Sequence, residues 1–443
     1  MTGAALNTSL LQLPDGYELV RLGYVARLQN GLTVDAKRDI TGDTVTRPYL
    51  RVANVQAGSL DLDSVTEITV PRSVARRSTL RPGDVLMTEG GDLDKLGRGT
   101  VWRGELEGCL HQNHIFAIRP DPQRLSGEYL AYLTQSLYGR CYFESTGTRT
   151  TNLASTNSSK IQSFPLPLPP LEDQRRIADF LDAETARIDL ISAQRKYQLS
   201  LFAKRGVSLV LSAVSGLDVS SNRKHSGLDW LGDIPDSWAV MRVSHQYEVL
   251  LGKMLNPERS RGDHLRPYLR NINVQWDRVD VDDLLEMNFP PHERRRYVLR
   301  SGDLLICEGG EPGRSAVWDG SVREIYYQKA LHRVRPRGYS SARWLFYCMK
   351  AATSQNVFAV EGNSTTIAHL TGEQLRAHQF PFPPREAQDL LVRKLDEWEQ
   401  ESRLIRSRID RQLALLAERR QALITAAVTG QLDATTAGRA AAV

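Results

Sequence analysis

Cysteine is scarce in this chain: Cys109, Cys141, Cys307 and Cys348 are the only four in 443 residues. No two sit at CxxC spacing, which excludes a thiolate zinc site and a disulfide framework and points to a reducing compartment. Long apolar runs are also missing. The best stretch, 206–217, is far shorter than the ~18–20 residues a membrane-spanning helix needs. Residues 1–13 lack the basic start and apolar core of a secretion signal. The expected location is cytoplasmic, with no membrane partner. A strong charge of either sign is absent, since 57 Lys+Arg stand against 52 Asp+Glu for a net +5. With 41% hydrophobic residues, the chain is neither disordered nor collagen-like. Lysine is rare: ten of the 57 bases, which leaves 47 arginines. Arginine suits bidentate contacts with phosphates and guanine edges, although a GC-rich coding sequence gives the same preference.

Catalytic signatures are missing as well. There is no GxxxxGK[ST] loop, no HExxH and no GxSxG. The nine histidines do not fall at metal-ligand spacing, and His111 and His114 stand outside any helical frame. No acid, base, nucleophile or metal site identifies itself.

What the chain does have is itself, twice. Residues 47–56 read RPYLRVANVQ and residues 266–275 read RPYLRNINVQ, an offset of 219 (266 − 47). The same offset superposes Arg76-Arg77 on Arg295-Arg296, Gly83-Asp84 on Gly302-Asp303, and Glu89-Gly90-Gly91 on Glu308-Gly309-Gly310. Gln112 then matches Gln328, LPLPPLEDQ (166–174) matches FPFPPREAQ (380–388), and AVSG (213–216) matches AVTG (427–430). An ordered series of this kind marks duplication, at a period too long for a solenoid.

Both copies follow one plan. Short apolar segments punctuated by Gly, Pro, Asn and Asp predict strands at 65–70, 85–88, 100–102 and 115–118. Helices are expected at 127–137 and 342–351. The proline runs at 165–170 and 381–384 are expected to be rigid stops outside helix and sheet. A long helix follows each stop. Its 4-3 seam runs through Ile177, Leu181, Ile188, Ile191 and Phe202 in copy one. In copy two it runs through Leu391, Leu395, Trp398, Ile405, Ile409 and Leu416. Heptad seams must find a partner, and the economical solution is that the two helices, each around 35–40 residues, pack on each other. The fold class is α+β. The segments are 1–170, a mixed α/β module; 171–219, the first long helix; 220–227, a linker; 228–384, a second module; 385–433, the second long helix; and 434–443, a flexible tail.

The repeated polar groups sit on loops. Arg51, Asn54, Arg76, Arg77, Arg98, Gln112, Asn113, Thr148, Arg149, Thr150 and Asn152 are the candidates of copy one. Those of copy two are Arg270, Asn273, Arg295, Arg314, Ser315, Gln328, Lys329, Asn363, Ser364 and Thr365. Hydroxyl, amide and guanidinium groups on loops bind phosphate oxygens and base edges. Ordinary turn chemistry explains each residue singly just as well. A frame that repeats while its loop tips change suits two readers of two different words.

The duplicated order strongly resembles the DNA-specificity (S) subunits of type I restriction-modification systems. The matching residues are Leu13-Pro14 with Tyr17, Ile234-Pro235 with Trp238, the two Gly-Asp pairs, Pro169-Pro170 to Gln174, Pro383-Pro384 to Gln388, and Ala426-Ala427-Val428-Thr429-Gly430. The likeness covers about residues 13–433. It implies that each module is a target recognition domain and that the helices form an antiparallel coiled-coil spacer. The chain would then be non-catalytic and read a bipartite, asymmetric site in double-stranded DNA. The implied partners are two methyltransferase (modification) subunits and restriction subunits. S-adenosylmethionine, ATP and Mg would belong to those partners, with no cofactor in this chain. Two rivals stand beside this reading: a self-contained methyltransferase or nuclease, and a protein-only scaffold.

Overall fold

A computed structural model describes residues 13–33, 42–56, 58–91, 96–149, 154–254, 261–360 and 369–433. The expected tail at 434–443 and parts of both Ser/Thr/Asn loops, 150–153 and 361–368, lie outside them. The chain divides into two units. One is Met1–Arg195 with Asp410–Val443, the other Lys196–Ile409. Each long helix therefore gives one half to each unit.

In the first unit, strands Ala26–Asn30, Ile115–Pro120, Val85–Thr88 and Gly99–Val101 form an antiparallel sheet in that order. The central strand VLMT is apolar at successive positions because both of its faces are covered. Val85 and Met87 pack with Tyr129, Leu130 and Leu133 of the helix Gly127–Gln135. Leu86 points to the other side, with Leu50, Trp102 and Ile115. A second sheet has the order Thr66–Pro71, Thr44–Leu50, Leu110–His111, the last pair being parallel. The second unit repeats both sheets: Tyr247–Leu251, Leu331–Pro336, Leu304–Cys307, Ser315–Val317, and Leu285–Asn288, Leu265–Leu269, Tyr326–Tyr327.

The helix expected at 127–137 ends at Gln135. The Ser136 hydroxyl accepts from Gly139 N, which caps a new helix, Leu137–Thr146. In copy two the cap is Ser341, accepting from Trp344 N, and Ala342–Ser354 runs on as one helix.

The proline runs are not outside the sheets. Pro165–Leu168 pairs antiparallel with Glu18–Arg21, and Gln379–Phe382 with Ala239–Arg242. Proline is tolerated in an edge position whose missing N–H faces away from the ladder. Pro165 and Pro167 take alternate positions, and their carbonyls accept Tyr138 and Tyr129 hydroxyls at 2.9 and 2.6 Å. Pro381 O accepts the Trp344 indole N–H at 2.9 Å. The expected linker also contributes a strand, since Arg223–His225 pairs with Asp233–Pro235.

Three repeated motifs fix this frame. Gly83 and Gly302 turn the chain at φ +93° and +88°, which suits glycine alone. The next residue, Asp84, is buried and held by Arg119 Nε and Nη2, both at 2.7 Å. Asp303 is held in the same way by Arg335 at 2.6 and 2.7 Å. Gln174, wholly buried, donates to Pro169 O and Arg124 O and accepts from Ser126 N. Its counterpart Gln388 bonds Pro383 O, Ser340 Oγ and Ser341 N. The PPxxxQ signature is thus a clasp between a domain and the start of its helix.

The long helices, Leu171–Ser215 and Arg385–Val428, span 45 and 44 residues, longer than the seams suggested. Gly206 does not stop the first one; a Cβ there would meet the Trp398 indole at 3.5 Å, an ordinary contact. In the first unit, Ile177, Ala178 and Leu181 share a core with Ile424, Ala427 and Val428, while Asp189 lies 3.5 Å from Arg420. That pairing is antiparallel. In the second unit Phe202 packs on Trp398, and Val210 and Val214 share a core with Val392 and Leu395, again antiparallel. Ile177, Leu181, Ile188, Leu395 and Ile409 are buried as the seam required. Phe202, Leu391, Trp398, Ile405 and Leu416 are half-buried. Ile191 does not hold its seam place: it is exposed, next to the more exposed Leu190. Thr185 and Ser402 are buried where the spacing offered no apolar residue.

Both helices stop at a left-handed glycine, Gly216 (φ +64°) and Gly430 (φ +73°). Gly216 ends the first helix short of the expected 219. A Cβ on Gly216 would meet Trp238 at 2.7 Å and Pro235 at 2.8 Å; one on Gly430 would meet Pro14 at 2.4 Å. Each helix end is thus seated on the Pro-x-x-aromatic turn of the copy it does not belong to in sequence. Gly216→Ala combines left-handed strain with overpacking and should cost about 2–4 kcal/mol. Urea unfolding of the full chain measures this, and a loss under 0.5 kcal/mol would contradict the seating.

Candidate nucleic-acid interface

A chain of backbone hydrogen bonds gathers the loops at one rim of each domain. In copy one, Gln112 N donates to Leu50 O (2.9 Å), Asn113 N to Leu32 O (3.0 Å), Glu89 N to His114 O (2.8 Å) and Thr156 N to Glu89 O (2.7 Å). Gly90–Gly91 then pairs with Ala154–Ser155, which pairs with Thr148–Arg149. Copy two repeats the circuit: Gln328 N to Leu269 O, Lys329 N to Lys253 O, Glu308 N to Ala330 O and Leu370 N to Glu308 O. Gly31 and Gly252 let the strands approach, for a Cβ there would lie 2.0 and 2.2 Å from the carbonyl oxygens of Gln112 and Gln328. These two glycines share an offset of 221 (252 − 31), so the repeat could have revealed them.

The rim carries several of the expected groups. Arg51 is exposed, and Gln112 is half-buried with its Oε1 accepting from Val52 N. Asn113 is half-buried beside the exposed pair His114–Glu89, 2.6 Å apart. Thr148 is exposed and accepts from Lys160 Nζ. Gln328 is half-buried and Lys329 exposed. Arg270 and Arg314 are half-buried and engaged, the first with Asp283 at 2.7 Å, the second with Asn271 Oδ1 at 2.6 Å. Arg98 is half-buried. Of Arg149 only the backbone is described, while Thr150, Asn152, Asn363, Ser364 and Thr365 lie outside the described residues. Arg76, Arg77 and Arg295 stand apart from the circuit, exposed on the short helices Arg72–Ser78 and Pro291–Tyr297.

Three candidates are internal. Asn54 and Asn273 are buried, their amides donating to Asp61 O and Asp280 O while their oxygens accept from Arg51 N and Arg270 N. They hold the loop instead of facing outward. Ser315 opens a strand paired with Ile306 and is fully buried. The Gly-rich turns before it and before Gly99 are packing devices: a Cβ on Gly97 would strike the Phe143 ring at 2.3 Å, and one on Gly313 the Phe358 ring at 2.7 Å. Residues missed in the sequence include Glu89, His114 and Lys253, the last buried between Asn288 O and Glu293.

The rim offers amide, hydroxyl, carboxylate, imidazole and guanidinium groups, the set that reads base edges. Burial pushes the Cys109 and Cys307 thiols up to about 12 and about 11, so neither is a nucleophile. Among the described residues no group of three His, Cys, Asp or Glu gathers as for a metal. No described helix is long and apolar enough to cross a membrane.

Beneath the rim, His111 is fully buried, with Nδ1 2.9 Å from Ile115 O and Nε2 3.3 Å from Gln29 Nε2. Those partners suit a neutral ring that donates at Nδ1 and accepts at Nε2. Burial lowers its pKa to about 4, and burial also lowers that of His332. An unfolded histidine binds its proton near pH 6.5, so between pH 6.5 and 4 the unfolded chain holds more protons and stability falls as the pH drops. From His111 the loss should reach about 2 kcal/mol by pH 5. Urea midpoints from pH 7.5 to 4.5 measure it, and a His111 ring titrating near 6.5 by NMR would refute it.

Residues 14–201 match the family of the type I restriction modification DNA specificity domain. The chain is 23% identical over 398 residues to the putative type I restriction enzyme MjaX specificity subunit of Methanocaldococcus jannaschii, covering 88% of each. It is 23% identical over 449 residues to the type I restriction enzyme EcoKI specificity subunit of Escherichia coli K12, covering 96% of this chain and 90% of that one. A solved chain described under complex assembly and conformational transition of the type I R-M system shares the fold, with TM-score 0.74 at 21% identity, over 95% of this chain and 100% of that. The HsdS subunit from Thermoanaerobacter tengcongensis gives 0.54 at 21% identity, over 95% and 98%. In sequence over most of its length, and in fold, the chain is similar to the specificity subunits of type I restriction-modification systems.

Proposed function

We propose that this chain is the sequence-reading subunit of a type I restriction-modification complex. Each domain reads one half of a bipartite, asymmetric site in double-stranded DNA, and the continuous helices set the gap between the halves. One observation carries the reading: the two rims share a backbone circuit but differ in side chains, with His114 in one at the place of Ala330 in the other. A constant frame with changed tips recognises two different sequences.

The chain does no chemistry in this reading. Two methyltransferase subunits docked on it modify adenine, and restriction subunits cleave. S-adenosylmethionine, ATP and Mg belong to those partners. The support is the names of the relatives, which are specificity subunits of type I restriction enzymes. The test is the adenine methylation pattern of cells carrying the chain with its modification partner. A two-part motif with a fixed gap, lost when this chain is deleted, is expected. Methylation that persists without the chain, or a motif of one uninterrupted block, would overturn the reading.

A further inference from the structure

The two domains are fastened to their helices by different bonds. In the second unit the hairpin formed by Val274–Gln275 and Arg278–Val279 turns through Asp277, which has φ +58°. That left-handed conformation costs a non-glycine residue about 1–2 kcal/mol. At the equivalent turn of copy one stands Gly58, with φ +77°. Strain at a residue that could have been glycine points to a task for its side chain.

The task is visible. The Asp277 carboxylate meets Arg343 from the domain helix Ala342–Ser354 and Arg403 from the second long helix. Arg343 also donates to Asp396 of that long helix at 2.7 Å and lies over the Phe346 ring at 4.4 Å. The Tyr347 hydroxyl donates to the same Asp396 at 2.6 Å. Hairpin, domain helix and long helix are therefore tied at one point, in a partly buried site where ion pairs outweigh exposed ones.

Of this network copy one keeps the Tyr–Asp bond, Tyr132 to Asp182 at 2.5 Å, and its domain reaches the second long helix by neutral bonds instead, Gln421 Nε2 to Gln135 O and Leu137 N to Thr425 Oγ1, both at 2.9 Å. Where copy two has Asp277, Arg343 and Arg403, copy one has Gly58, Glu128 and Asp189. Glu128 carries the wrong sign to bridge to Asp182. A cavity of about 150 Å³ lies there, lined by Gly58, Glu128, Tyr132, Asp182 and Arg420 among others.

We infer that Asp277 is a positioning residue that holds the second domain in a single orientation on its helix pair. The functional consequence rests on the proposed reading of a bipartite site: the strictness of the gap depends on a side chain that touches no DNA.

Two measurements test this. The first is hydrogen exchange in hairpin 274–279 of the full chain. Asp277→Gly, which relieves the backbone and removes the tie, should speed exchange in 274–279 by about tenfold. Asp277→Asn, which keeps the size of the side chain, should do the same. Unchanged exchange in both variants overturns the inference whether or not the chain reads DNA. In the assembled complex, the ratio of methylation at the native gap to methylation at a gap one base longer should fall about tenfold in Asp277→Gly, with both half-sites unchanged. An unchanged ratio overturns the gap role. A wild-type complex with no two-part motif condemns the recognition reading instead, and leaves the exchange result to decide for or against the tie.

Discussion

Removing seven residues from each long helix should shorten the accepted gap by about three base pairs and leave both half-sites intact. The estimate follows from the helix rise, about 1.5 Å per residue, against about 3.4 Å per base step. Both helices must lose a heptad, because in each unit their halves run antiparallel, and shortening one alone would slide one seam past the other. Suitable segments lie at 189–195 and 404–410, the latter sparing Arg403 of the Asp277 tie. No residue from 189 to 205 is buried on the first helix, so that cut removes little packing. The second cut removes the buried Ile409 and should weaken the pairing there. Sequencing of methylated sites measures the gap. A variant that still assembles and still prefers the original gap would show that helix length is not the ruler.

Arg119→Ala should cost about 3 kcal/mol, the lower end of the range for stranding a buried charge. Asp84 is 1% exposed, and after the change its carboxylate would keep only the Arg81 N–H. The strand Val85–Thr88 begins at the next residue and lies inside the main sheet, so the damage reaches the core directly. Arg335→Ala should act alike through Asp303. Chemical unfolding is the measurement, and a change below 1 kcal/mol in both variants would refute the latch.

Much of the frame was legible before any coordinates. Duplication exposed itself because the Gly-Asp turns, PPxxxQ clasps and helix-end glycines each do a geometric job that few residue types can do. The strand at Val85–Thr88 was clear because apolar residues between turn signals have few alternatives. The proline strands were not, because whether a proline's missing N–H matters depends on which neighbour lies beside it. The seam failed at Ile191 because spacing shows what can pack, not where a partner helix is close enough. The rim was half legible. Gln112 and Gln328 were found from the repeat, but Asn54 and Asn273 looked like surface amides until their loops closed around them. Which side chains of a loop face outward is set by its backbone path, and period carries no information about that.

Gly430 rests against Pro14 just as Gly216 rests against Pro235. Each domain is therefore completed by a helix end that arrives from the other copy, and the last helix comes home to the segment that precedes the first domain. The core of the first domain thus holds Ile424, Ala427 and Val428 from the far end of the sequence, and that of the second holds Val210 and Val214, so either reader can be exchanged only together with the helix end that the other copy lends it.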